Sequence, residues 1–402
     1  MSNTQKKNVP ELRFPGFEGE YSLDIFGNLA TNKSDKFNPQ NENASIDIEL
    51  DCIEQNTGRL IKIYNSKEFS SQKNKFNPQN VLYGKLRPYL NKYYFTKKSG
   101  VCSSEIWVLK STKEDKLLNL FLYYFIQTKR YSDVASKSAG SKMPRADWGL
   151  IENIRVYFPE LCEQKKIGEF FSKLDRQIEL EEQKLELLQQ QKKCYMQKIF
   201  SQELRFKDDN GNDYPEWEEK KLGELSQIVR GASPRPIKDP KWFNKESDIG
   251  WLRISDVTDQ NGKIYHLEQK LSIEGQEKTR VLLTTHLLLS IAASIGKPVM
   301  NFVKTGVHDG FLIFLNPKFN IFFMYYWLDY FKEKWSKYGQ PGSQVNLNSE
   351  IVKSQTLNMP SNHEQEKVGL FFSRNEKLIE LQQEKIMYLK RRKQALILKM
   401  FI

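Results

Sequence analysis

Cysteine and histidine are scarce. The 402 residues include four of each: Cys52, Cys102, Cys162 and Cys194, and His266, His286, His308 and His363. None stands at a CxxC or other metal-ligand spacing, so neither a zinc centre nor a disulfide framework is expected, and free thiols suit the cytoplasm. Apolar runs are short as well. The richest, FNIFFMYYWLDYF from Phe319, is too brief and too interrupted to span a bilayer, so no membrane partner is expected. The opening MSNTQKKNVPELRF lacks the apolar stretch of a secretory signal. There is no GxxxxGK[ST] phosphate loop, no GxGxxG after a strand, and no His/Cys/Asp or Ser-His-Asp set. KFNPQN occurs twice, from Lys36 and Lys75, but lacks the second proline and the aromatic with which an amino-methyltransferase stacks on an extruded base. Asn-Pro is also an ordinary turn. The chain reads as non-catalytic, with no metal and no cofactor of its own.

What is present is positive charge and a repeat. Sixty-two Lys and Arg against 50 Asp and Glu give a net charge of +12, which makes a polyanion the first partner to consider; a merely Lys-rich soluble surface is the alternative. EQKKIGEFFSKLDRQIEL from Glu163 returns as EQEKVGLFFSRNEKLIEL from Glu364, and the match runs without a gap from Pro159/Pro360 to Phe200/Phe401 at an offset of 201. It extends backwards through LNLFLYYFIQ (Leu118) and FNIFFMYYWL (Phe319), where the aromatic spacing suits core packing. LRF recurs at Leu12 and Leu204, and FGNL at Phe26 is echoed by LGEL at Leu222. Between these anchors, over residues 30–115 and 226–316, the halves do not align. The frame is duplicated and the inserts differ.

The expected fold is therefore a tandem duplication of α/β (α+β) domains, each followed by a long helix, with pseudo-two-fold symmetry. The boundaries expected are 1–157 and 202–357 for the two domains, and 158–201 and 358–402 for the helical regions. Short β-rich runs bounded by Gly, Pro and Asn fill the inserts. The helices carry heptads. The first seam includes Phe171, Leu174, Ile178, Glu181, Leu185, Leu188 and Lys192; the second includes Phe372, Ile379, Gln382, Ile386, Leu389, Lys393 and Leu396. An antiparallel coiled coil follows if the second helix returns along the first; two helices docked separately on their own domains is the other reading. The expected register sets Glu181 against Lys393 and Lys192 against Gln382, with a one-heptad shift as its competitor.

Four polar loops suit DNA. YGKLRPYLNKYYFTKK interleaves Lys85, Arg87 and Lys92 with Tyr89, Tyr93 and Tyr94, and KSAGSKMPRADW offers Lys142 and Arg145. VRGASPRPIKDPKW offers Arg230, Ser233, Arg235 and Lys238, and GQPGSQVNLN offers Ser343, Gln344, Asn346 and Asn348. Arg and Lys neutralise phosphate and pair with guanine, and Asn and Gln pair with adenine. Polar loops are common on any surface, and the KRRK run at Lys390–Lys393 reads better as a solvated helix face.

With these motifs (LRFPGFEGEY, the doubled EQ-x-K-[IV]-G helix start, YGKLRPYL with SSEIWVL, and VRGASP) the chain resembles the specificity subunits of type I restriction-modification systems. The resemblance covers nearly the whole chain. It implies a DNA-reading subunit with one target-recognition domain for each half of a bipartite asymmetric site, and helices that set the spacing. It also implies two methyltransferase subunits docked on the helices and restriction-translocation subunits beyond them, with S-adenosylmethionine, ATP and Mg on those partners and double-stranded DNA as ligand. SIAASIGKPV from Ser290 lacks the Arg-Pro of YGKLRPYL, so contacts are not expected to be mirrored. A DNA-binding scaffold or regulator outside restriction-modification is the alternative.

Overall fold

The computed structural model describes residues 8–38, 46–65, 71–137, 142–292, 295–338 and 347–402. They form two compact units, Met1–Glu182 with Glu384–Ile402, and Gln183–Gln383.

In the first unit the strands are β1 (Ser22–Ile25), β2 (Ala30–Thr31), β3 (Lys36–Phe37), β4 (Asp47–Ile48), β5 (Lys73–Phe76), β6 (Val81–Gly84), β7 (Tyr93–Phe95), β8 (Gly100–Cys102), β9 (Ile106–Ser111) and β10 (Arg155–Phe158). Among the described residues they make sheets ordered β2-β9-β6-β7 and β3-β5-β8-β4, and a β1-β10 ladder. All four residues of β6 are buried, which is why VLYG reads as an apolar run rather than an alternating strand. The ladder pairs Ser22 with Phe158, so the insert leaves and returns at one closed base. Helix α1 (Asn119–Phe125) buries Phe121 to Phe125, and the first long helix, α2 (Leu161–Phe200), follows the base directly.

The second unit has β11 (Glu218–Lys221), β12 (Gln227–Arg230), β13 (Gly250–Leu252), β14 (Lys263–Ile264), β15 (Arg280–Leu282), β16 (Leu287–Ser290), β17 (Pro298–Asn301), β18 (Thr305–Val307), β19 (Phe311–Leu315) and β20 (Thr356–Met359). The described sheets here are β12-β19-β16-β17-β14 and β13-β18-β15, a different arrangement from the first unit. The base is the same: β11 pairs with β20, Glu218 opposite Met359. Helix α3 (Ile321–Phe331) then occupies the place of α1, and α4 (Asn362–Met400) that of α2.

The repeated motif has a physical cause. Glu163, 1% exposed, accepts a two-pronged hydrogen bond from Arg13 (2.9 and 2.8 Å) and one from the Tyr21 hydroxyl. Glu364, 0% exposed, accepts the same fork from Arg205 (3.3 and 2.8 Å) and one from the Trp217 indole (3.0 Å). The LRF and EQ motifs are thus the two ends of one buried ion pair, written twice. The neighbouring amides repeat as well. Gln164 accepts from Leu118 N and donates to Pro159 O; Gln365 accepts from Asn320 N and donates to Pro360 O. Gly168 completes the motif, since a Cβ there would lie 2.7 Å from Leu120 Cγ.

Within the first unit the start of α2 lies against the end of α4: Phe171 meets Phe401 at 6.2 Å between ring centroids, and Lys393 pairs with Asp175 at 2.7 Å. Within the second unit the end of α2 lies against the start of α4: Phe200 stacks on Phe372 at 5.8 Å, and Lys192 pairs with Glu376 at 3.2 Å. Each contact set is antiparallel. Phe171, Leu174, Ile178, Phe372, Ile386, Leu389 and Lys393 are buried, and Glu181, Leu185, Leu188, Ile379 and Leu396 are half-buried, as a heptad seam requires.

The expected register is shifted by two residues, and its expected polar pairs are replaced. Phe171–Phe401, Phe200–Phe372 and Glu182–Lys390 each fall two residues from the expected register, and the lysines reach farther along the facing helix, Lys393 to Asp175 rather than Glu181 and Lys192 to Glu376 rather than Gln382. A lysine at a seam position extends its stem past the apolar layer and places its ammonium on a flanking carboxylate. Glu181 pairs instead with Lys385 at 2.5 Å. Both lysine sites also hold a tyrosine, from α1 and α3: Tyr124 donates to Asp175 at 3.0 Å and Tyr326 to Glu376 at 2.7 Å. Glu376 takes Lys263 too, at 2.5 Å.

Replacing Arg205 by Ala leaves Glu364 buried without its fork and is expected to cost about 3–5 kcal/mol, whereas changing both residues to apolar ones of similar size costs far less; denaturant unfolding of the purified protein measures both. Burial pushes the Glu376 carboxyl up, but Lys192, Lys263 and Tyr326 outweigh it and hold the group below its ordinary value. A depressed folded-state pKa gives stability that is complete above the unfolded value near 4.5 and lost as pH falls through the folded one. Unfolding followed from pH 7 to pH 3 should therefore show a weaker acid dependence in Glu376→Gln than in the unaltered chain.

Candidate nucleic-acid interface

In the first unit the loop between β6 and β7 is closed by Gly84 N donating to Lys92 O at 2.8 Å. Arg87 and Asn91 hold φ of +51° and +45° on either side of the turn Pro88–Leu90. Asparagine tolerates that region; an arginine there costs about 1–2 kcal/mol, a strain of the kind concentrated at functional sites. The segment around Arg145 joins this loop. Leu86 bridges Arg145, Arg87 N donates to Pro144 O at 2.7 Å, and Ala146 N donates to Lys85 O at 2.8 Å. Two loops far apart in sequence thereby present Lys85, Arg87, Tyr89, Lys142 and Arg145 together. Tyr89 is 57% exposed, and Arg87, Lys142 and Arg145 are exposed.

Other expected contacts have structural work. Lys92 donates its ammonium to Leu50 O at 2.6 Å, and Tyr93 is buried against Tyr123 with ring centroids 5.7 Å apart. Arg145 is forked onto Glu105: Nε lies 3.2 and 3.0 Å from its two oxygens and Nη2 3.0 Å from Oε1. These bonds hold the Glu105 carboxyl below its ordinary value.

In the second unit the loop after β12 is fastened to the turn between β18 and β19. Gly231 N donates to Phe311 O (2.9 Å) and Ala232 N to Val307 O (3.0 Å). A Cβ on Gly231 would stand 2.2 Å from His308 O, so only glycine permits this approach. Asp309 is the hub. Its carboxylate accepts from Ser233 Oγ (2.8 Å) and Arg235 Nη2 (2.7 Å), and its carbonyl accepts from Arg230 Nε (2.6 Å). Burial pushes the Asp309 carboxyl up, but Ser233 with the nearby His308, Arg235 and Arg230 brings it below its ordinary value. Burial pushes the His308 imidazole down, and its Nδ1 accepts from Gly310 N at 2.8 Å. Arg230, Arg235 and Lys238 are exposed.

Ser343, Gln344 and Asn346 lie outside the described residues. Asn348 caps the helix Ser349–Ser354 by accepting from Glu350 N and Ile351 N, both at 3.0 Å. In the KRRK run, Lys390 pairs with Glu182 at 2.6 Å and Lys393 with Asp175. Sequence reasoning passed over Glu105 and Asp309, because an acid among basic loops argues against a polyanion until its arginine partner is seen.

Among the described residues no group of three or more His, Cys, Asp or Glu could hold a metal, and no helix is long and apolar enough to cross a membrane. A cavity of about 890 Å³ in the first unit is lined by charges that already pair with one another, including Arg59 with Glu182 and Lys393 with Asp175.

Two segments, residues 20–190 and 214–391, match the family model of the type I restriction modification DNA specificity domain. The chain belongs to that family and carries its domain twice in tandem. The MjaVIII specificity subunit of Methanocaldococcus jannaschii is 26% identical over 310 residues, covering 72% of this chain and 71% of that protein. The EcoDI specificity subunit of Escherichia coli is 25% identical over 169 residues, 40% of this chain and 37% of that one. The fold is similar to a chain from a structure on complex assembly and conformational transition of the type I R-M system, with TM-score 0.60, 17% identity and 94% and 96% of the two chains covered. It is also similar to the S subunit of a type I system from M. genitalium, with TM-score 0.57, 14% identity and 98% and 99% covered. The protein is thus a type I specificity subunit, the non-catalytic member of its system.

Gly231→Ala should cost about 1–3 kcal/mol by forcing the two loops apart. It should also impair DNA reading by the second unit while sparing the first, as thermal unfolding combined with mapping of methylated sites would record.

Proposed function

We propose that this chain reads a bipartite asymmetric DNA site for a type I restriction-modification complex. The domains 1–157 and 202–357 each read one half. The helical regions 158–201 and 358–402 set the spacing and dock two methyltransferase subunits, with restriction-translocation subunits joining them. S-adenosylmethionine, ATP and Mg belong to those partners, and the complex works in the cytoplasm on double-stranded DNA.

The observation that carries this reading is the combination of an identical base with different loops. The Arg13–Glu163 and Arg205–Glu364 pairs fix the two domains to their helices in the same way. The domains above those bases differ in strand order, and their basic loops differ in sequence. Readers of two unlike half-sites on a shared frame need that division. Net charge of +12 supplies attraction to phosphate, and the exposed loop cations add to it. A helix of 40 residues is about 60 Å long, more than one turn of duplex. The long helices also expose Leu187, Tyr388 and Leu398 at 65%, 62% and 72%, apolar surface suited to covering by a partner.

The test is methylation sequencing of a host carrying this chain with its methyltransferase, set against deletion of this chain alone. One split asymmetric motif should lose methylation on deletion, and exchange of residues 1–157 for those of a relative should alter one half of the motif and leave the other. Unchanged methylation on deletion would give the lead to a scaffold outside restriction-modification.

A further inference from the structure

The two domains share one device despite their different loops: an exposed loop arginine paired with a half-buried carboxylate. We propose that Arg145 and Arg235 each read a guanine in the major groove, one in each half-site, with Glu105 and Asp309 as positioning residues. The inference rests on the DNA-reading function above and names the base that part of each site takes.

The carboxylates are the puzzle that leads there. Both sit among cations on surfaces expected to face a polyanion, where a negative charge weakens attraction. Their ion pairs to exposed arginines contribute little to stability. Each is itself held in place. Asp309 is pinned through one oxygen by Ser233 at 2.8 Å, and Ser233 Oγ in turn accepts from Asp309 N at 3.2 Å. Glu105 O accepts from Lys85 N at 2.9 Å, which ties that residue to the Arg87 loop. The fork from Glu105 fixes the guanidinium plane of Arg145, and a single bond from Asp309 anchors one end of Arg235. Glu105 takes the Nε–Nη2 edge of Arg145, so the Nη1–Nη2 end points away from it. Arg235 is engaged through Nη2 at 2.7 Å and its side chain remains 71% exposed.

A guanidinium is planar, and its free end donates two parallel hydrogen bonds to a pair of acceptors. In the major groove guanine alone offers two on one base, O6 and N7; adenine offers an acceptor beside a donor. Phosphate also offers two acceptors, so the experiment must separate base from backbone. Lysine does this. It keeps the charge that a phosphate contact needs and loses the fork that guanine needs.

The test uses the full chain produced with its methyltransferase, the methylated sites of the host chromosome being the readout. Each half of the wild-type motif should contain a fixed G·C pair. Arg235→Lys should make one G·C position of the second half degenerate, with preference there falling about 10- to 100-fold, and leave the first half intact. Arg145→Lys should do the converse. Glu105→Gln and Asp309→Asn should relax the same positions more weakly, since they act through the arginines. Should Arg235→Lys fail to co-purify with the methyltransferase, Arg235→Gln is scored instead, and the preferred base at that position should move toward adenine. A motif half without guanine, an unchanged motif in the lysine variants, or an even loss of methylation at all sites without degeneracy would each overturn the proposal. If deleting the chain leaves methylation intact, the DNA-reading function itself fails; if deletion abolishes methylation while the variants keep the wild-type motif, only the guanine assignment fails.

Discussion

Two glutamates removed from water, Glu163 and Glu364, set the terms for each unit. A buried carboxylate without a partner is among the costliest features a fold can carry, and each is satisfied by an arginine from a segment some 150 residues earlier, at 2.8 Å. That demand ties three things to one point: the segment leading into the domain, the strand ladder at its base and the first turn of the long helix. The pair itself adds little net stability, because desolvation offsets most of the attraction. What it fixes is geometry. Only one placement of the helix start satisfies both the fork from arginine and the adjacent glutamine, whose amide spans a backbone N–H and a proline carbonyl.

With the base fixed, the insert is free to vary. The first unit builds two four-stranded sheets among its described residues and the second a five-stranded and a three-stranded one, yet both leave and re-enter through the same two-stranded ladder. The second fastening is farther along the helix, where Tyr124 meets Asp175 and Tyr326 meets Glu376, each with a lysine from the facing helix. The carboxylate that receives the domain is thus also the one that sets the helix register, so an error in either would leave the other unpaired. Coupling of that kind gives specificity to an antiparallel pair whose apolar layers alone would tolerate a slip.

The frame was legible because duplication exposes it. EQ-x-K-[IV]-G and LRF stand out when each is seen twice, and heptads mark the buried faces of both helices correctly down to half-buried Leu185, Leu188 and Ile379. The lysine partners were not legible, since pairing seam residue with seam residue ignores the reach of lysine: Asp175 and Glu376 sit one position outside the seam and gave no apolar signal. The loops were legible as basic surfaces but not as sites. Lys92 and Asn348 read as ligands on composition, and in the fold Lys92 donates to the Leu50 carbonyl while Asn348 caps a helix. Glu105 and Asp309 went unread for the opposite reason, since their sign is wrong for DNA until the arginine in front of each is known.

Those acids also explain why a rigid frame and a variable reader can coexist in one chain. Phosphate contacts can be supplied by any flexible cation, and they report no sequence. Discrimination between bases requires donors already held in the plane of the base edge, or the entropy of ordering a long side chain consumes the difference between right and wrong partners. The second domain meets that requirement locally, through Gly231 closing two loops to within contact and Asp309 holding three side chains at once. It does so without calling on the buried clamp at its base. Because the ordering of the reading arginines is internal to the loops, the loops can be rewritten while Glu364 and its arginine stay as they are, and a new sequence can be read from an old frame.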